Sequence, residues 1–167
     1  MSKLEESKKT GIHSKLLKMV GNWKGDYKVW LEPDGKPYES EVSGSIKPVL
    51  KDMFVLHEYE NTLDGEPVYG MAIYGCFLKH NDLQSAWIDS FHNGTSIMFS
   101  TAKNKNNIFD VMGHYTGADE NDIWGWRTVI EMPSDDRLLI TMYNVFPEMD
   151  DKPSFEAKAV EFDYKRN

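Results

Sequence analysis

The sequence predicts an all-β protein: an antiparallel up-and-down β-barrel of about ten strands, with a short N-terminal helix covering one end. Three observations carry that prediction. Alternation of period two sets in at Trp23 and continues to the last residues. Turn chemistry interrupts it at nine places, leaving runs of ordinary strand length between them. No helical pattern stands between any two strands, so parallel pairing, which needs crossover helices, is implausible. A long meander of this kind must curl, and closing on itself removes its exposed edges.

Taken in order, residues 1–10 are polar and charged and read as a flexible tail, leaving residues 11–167 as a single barrel domain. Ile12, Leu16, Met19 and Val20 then fall at helical spacing with Lys15 and Lys18 turned outward, and Gly21 stops the helix. The helix is too short to stand alone in water and must lay its apolar side on something. In the first strand Trp23, Gly25, Tyr27, Val29 and Leu31 share one face. Turns follow at Asp34-Gly35-Lys36-Pro37, Lys51-Asp52, Asp64-Gly65-Glu66-Pro67, His80-Asn81-Asp82 and His92-Asn93-Gly94. The remaining four lie at Asn104–Asn107, Gly117–Asp122, Pro133–Asp136 and Pro147–Pro153. In the last strand Val160, Phe162, Tyr164 and Arg166 share a face. A closed meander sets that strand beside the first, which stacks the Arg166 guanidinium on the Trp23 indole as a plug for the barrel floor.

Composition narrows the partners. The net charge of −8 repels nucleic acid and anionic membranes, and the basic residues form no stripe. The first residues lack the apolar core of a signal peptide, and no apolar run is long enough to span a bilayer, so the expectation is a cytoplasmic protein. Its one cysteine, Cys76, suits a reducing compartment and reads as an inert thiol in an apolar run. The five histidines show no short ligand spacing, so no metal site is expected. Nucleophile-elbow and phosphate-loop patterns are absent.

Gly-x-Trp on the first strand, with an arginine on the last, resembles the calycins, the superfamily of lipocalins and fatty-acid-binding proteins. More closely, several stretches resemble a mostly bacterial domain-of-unknown-function family, number fifteen-seventy-nine. They are His13-x-x-Leu16-x-x-Met19-Val20-Gly21-x-Trp23-x-Gly25, Val29-Trp30-Leu31-Glu32-Pro33, Trp87-Ile88-Asp89-Ser90 and Val160-Glu161-Phe162-x-Tyr164-x-Arg166. The resemblance implies a lipocalin-like barrel and brings no established activity. The opening also resembles the haem-binding nitrobindins, ten-stranded barrels whose motif continues to a further glycine where this chain has Tyr27. No His-x-x-x-Gly followed by Arg or His stands near the C-terminus, and the last histidine is His114, so haem is disfavoured and no cofactor is expected.

Candidate ligand-binding residues are Trp87, Asp89, His57, Tyr59, Arg127 and Tyr143. Trp87 and Asp89 share a face: inward, they offer a stacking surface and an anchoring acceptor, unless Asp89 instead caps the His92-Asn93-Gly94 turn. His57 and Tyr59 share a face with Val55 and look inward, as does Tyr143 beside Leu139 and Val145. Arg127 would pair with Asp89 or a ligand carboxylate, although alternation sets it outside with Glu131 unless the strand is bulged. The leading reading is a binding module for a small apolar or aromatic ligand. The alternatives are an isomerase or hydrolyase using Asp89 or His57 as general base, and a ligand-free structural protein that dimerises through an outward Trp30.

Overall fold

The structure, a computed structural model, describes residues 2–117, 119–149 and 152–167. Two helices, α1 (Lys3–Thr10) and α2 (Ile12–Lys18), precede ten strands. These are β1 (Gly21–Val29), β2 (Tyr38–Val49), β3 (Phe54–Leu63), β4 (Glu66–Phe77) and β5 (Asp82–Asp89), then β6 (Met98–Lys103), β7 (Phe109–Thr116), β8 (Ile123–Ser134), β9 (Arg137–Phe146) and β10 (Phe155–Arg166). Each pairs antiparallel with its neighbours in sequence, and β10 returns beside β1, closing the barrel as the alternation predicts.

The polar stretch expected to be a frayed tail forms α1. Its signal was present: Ser2 caps the helix through a bond from the Glu5 N–H, acidic residues fill the first turn and Lys8 and Lys9 the last. Lys8 ties the helix down by donating to the Lys51 carbonyl, and Ser7 is buried against His13. The His13 ring is fixed by two partners. Nε2 faces the Met53 carbonyl at 3.2 Å and must donate, so Nδ1 accepts from the Ser7 hydroxyl at 2.9 Å. Burial accordingly lowers the His13 pKa.

The apolar side of α2, with Ile12 and Leu16, and Met19 just past its end, lies buried on one end of the barrel and makes its floor. There Arg166 pairs in register with Trp23, and its guanidinium carbon sits 4.2 Å from the indole centroid. Its N–H groups donate to the carbonyls of Val20, Lys18 and Asp135 at 2.8–2.9 Å, closing the exposed end of α2. The Trp23 N–H donates to the Met19 carbonyl at 2.9 Å. Gly21 and Gly25 are required by this packing. Gly21 has φ +151° and a Cβ there would stand 2.4 Å from an Arg166 nitrogen, while one on Gly25 would meet the Asp163 carbonyl oxygen at 1.9 Å.

Above the floor the interior is filled by rings. His57, wholly buried, lies within 6.3 Å of the centroids of Tyr59, Tyr74, Phe162 and Tyr164. Its nitrogens meet the Tyr164 hydroxyl at 3.0 Å and the Tyr74 hydroxyl at 3.5 Å. Desolvation lowers its pKa to about 3, so it is a neutral core histidine. No helix among the described residues is long and apolar enough to cross a membrane.

One reading of side-chain direction is corrected and one of exposure is narrowed. In β9 the inward set is Leu138, Ile140 and Met142, so Tyr143 stands outside with Leu139 and Val145. Both faces of that strand are apolar, which leaves its phase undetermined by alternation alone. Trp30 falls just past β1, half-buried, with the Lys158 ammonium 5.4 Å from its ring centroid, so it is no open indole.

Candidate functional site

At the end away from the helices the rings stop short of the rim and leave a cavity of about 690 Å³. β5 and β8 build its back wall. Their inward alternation places Trp87 and Trp126 face to face across the barrel, with centroids 5.3 Å apart and planes 15° from parallel. Tyr115 of β7 meets the edge of Trp126, and its hydroxyl donates to Asn144 Oδ1 at 2.6 Å. Met98, Ile97 and Ile123 supply the apolar remainder of the wall.

One seam of the barrel loosens beside this cavity. β3 and β4 stay in register from Phe54↔Gly75 to Leu63↔Glu66, whereas β6 and β7 pair only at Ser100↔Gly113 and Thr101↔Met112. Met98 of β6 and His114 and Thr116 of β7 contribute to the lining from either side of this short ladder.

His92 joins the site from the β5–β6 loop, and Asp89 holds it there. Asp89 Oδ1 accepts from the backbone N–H groups of Phe91, His92 and Asn93, at 3.2, 2.6 and 3.0 Å. Its Oδ2 lies 2.6 Å from His92 Nδ1. With a carboxylate on Nδ1, that nitrogen carries the proton and donates, so Nε2 is left for the cavity that His92 lines. The ring packs 5.6 Å from Trp87 and 5.7 Å from Trp126, centroid to centroid.

Two buried donors differ in a telling way. Trp87 Nε1 donates to the Tyr59 hydroxyl at 2.9 Å. Trp126, 5% exposed, has an Nε1–H with no hydrogen-bond partner among the described residues. Ser40 and Asn61 also hold unpartnered side-chain atoms, but neither lines the cavity. An unmade bond of this kind costs ~1–3 kcal/mol unless something else supplies an acceptor.

The residues expected to bind a ligand are thus dispersed. Trp87 lines the cavity. Asp89 sits behind it and carries the loop, as in the turn-capping alternative, while also orienting His92. Tyr59 supports Trp87 one layer deeper, where burial and the nearby Asp89 charge raise its pKa. His57 is enclosed in the core, away from the lining. Arg127 lies on the outer face, where it pairs with both oxygens of Asp110 at 2.8 Å and with Glu156 at 2.9 Å, over the Tyr143 ring. β8 continues its alternation through Trp126 and Thr128 without the bulge that would have turned Arg127 inward. His92, Tyr115, Trp126 and Asn144 went unassigned. Tyr115 was legible from its step after Val111 and Gly113; the others depend on which strands face each other. Burial raises the Cys76 thiol's pKa, as fits a thiol of low reactivity. No group of three or more His, Cys, Asp or Glu suited to a metal occurs among the described residues.

Fold and site together define a closed antiparallel ten-strand barrel, plugged at one end and carrying an aromatic-lined cup at the other. The chain belongs to the family described as Protein of unknown function (DUF1579), whose sequence model matches residues 8–166. Among curated proteins none matches it.

Proposed function

We propose that the protein is a lipocalin-like binding module that takes one small, flat, at least partly aromatic molecule into the cup at its open end. The single observation behind this reading is the buried Trp126 N–H, unpartnered beside a cavity walled by Trp87, Tyr115 and His92. An aromatic occupant would lie against rings already in place and supply the acceptor that the indole lacks. The cup lies at the end of the barrel away from the helices, between the β5–β6 loop and β7, which gives the occupant a way in.

Turnover has less support. The His57 imidazole is sealed among rings, and the oxygens of Asp89 are taken by the loop it holds. A general base must reach its substrate, and neither group does. The lone, poorly reactive Cys76 fits a reducing cytoplasmic setting.

Native mass spectrometry of freshly purified protein, followed by titration with naphthalene read by tryptophan fluorescence, tests the proposal. The expected result is one bound molecule per chain, with binding weakened at least tenfold in Trp126→Ala. Absence of any adduct, together with fluorescence unchanged up to naphthalene's solubility limit, would overturn it.

A further inference from the structure

Resting on that reading, we propose that the cup selects aromatic molecules bearing a hydroxyl group, held by His92 Nε2 and the Trp126 N–H together. The two groups are complementary in kind. Asp89 accepts from Nδ1, so an imidazole that carries one proton presents Nε2 as an acceptor, while an indole nitrogen donates only. A phenol-type hydroxyl gives one hydrogen bond and takes one, so a single such group would satisfy both nitrogens at once. The His92 and Trp126 rings, with centroids 5.7 Å apart, border the same part of the cup.

Of the other polar side chains in the lining, two are already engaged. The Tyr115 hydroxyl has given its proton to Asn144, and the Asn93 amide donates to the Trp87 carbonyl at 3.3 Å. A carboxylate on the ligand is a poorer match. Asp89, its side chain wholly buried, lies directly behind His92, and the chain as a whole carries a charge of −8. A methyl ether keeps the acceptor and loses the donor, which would leave Nε2 facing an apolar group. Sites built to hydrogen-bond a hydroxyl discriminate strongly against analogues without it, because their own buried groups are then left unpaired.

Calorimetric titration with 2-naphthol, 2-methoxynaphthalene, naphthalene and 2-naphthoate, on the wild type and on His92→Phe, tests this. The expected order in the wild type is 2-naphthol tightest, with the ether and the hydrocarbon weaker by ~10- to 100-fold. In His92→Phe that preference should collapse to within threefold. If the four wild-type affinities agree within threefold, or if 2-naphthoate binds tightest, hydroxyl selection is wrong although the cup still binds aromatics. Failure of all four to bind would instead overturn the binding function itself. The wild-type series decides the matter even if His92→Phe does not fold.

Discussion

The two ends of the barrel use the same residue types to opposite ends. At the floor, Trp23 has its N–H on a carbonyl, a guanidinium over its face, and a helix packed across it. At the mouth, Trp126 is almost as deeply buried, yet its N–H meets nothing and a cavity opens beside it. Floor strands β1 and β10 approach so closely that glycine is obligatory at Gly25, whereas β6 and β7 share only two paired positions. The difference teaches how to separate stability from function in a barrel: where every polar atom is matched, a ring is structural, and where one is left over, the ring awaits a partner.

The contrast is broken most severely at Gly25. Gly25→Val should abolish folding or cost at least ~3 kcal/mol, since its Cβ must displace the Asp163 carbonyl and part β1 from β10. Urea unfolding reads this directly, and a shift within ~1 kcal/mol would show that the strands are not so tightly apposed.

Acid should expose the sealed interior next. The unfolded chain protonates His57 near pH 6.5, but the folded protein resists until about pH 3. This contribution is therefore fully present above pH 6.5 and is lost as pH falls through that window. Between pH 6 and pH 4 the wild type should lose ~1.4 kcal/mol per pH unit more than His57→Phe does. Parallel pH–stability curves for the two proteins would mean that the imidazole is solvated. A smaller effect belongs to the plug. Arg166→Ala leaves the Val20 and Lys18 carbonyls unmatched and should cost ~2 kcal/mol, the side chain being only partly buried.

Much of this was legible because alternation and turn chemistry are local. The ten strands, the shared face of Trp87 and Asp89, and the Trp23–Arg166 closure all follow from period two and from antiparallel order. The phase of β9 was not legible, because Leu139, Tyr143 and Val145 read as apolar as Leu138, Ile140 and Met142. The site was legible only in part. Nothing along the chain says that Trp87 and Trp126, on strands separated by β6 and β7, stack on each other, or that a turn histidine folds over both. Helix α1 was missed although its cap and charge order were visible, because every exposed side of it is polar.

The mildest change sharpens the comparison from the other side. Trp126→Phe removes an unpaired donor and should alter stability by less than ~1 kcal/mol, while weakening 2-naphthol binding by ~10-fold. A large loss of stability in that variant would mean that the N–H is already matched within the fold.

The most direct measurement of the central claim is a proton–nitrogen correlation spectrum of the five indole N–H groups during titration with 2-naphthol. The Trp126 resonance should move furthest and its N–H should become slower to exchange, while that of Trp23 stays in place. Movement of Trp23 with Trp126 unchanged at saturation would contradict the account, since the occupant would then sit at the wrong end of the barrel.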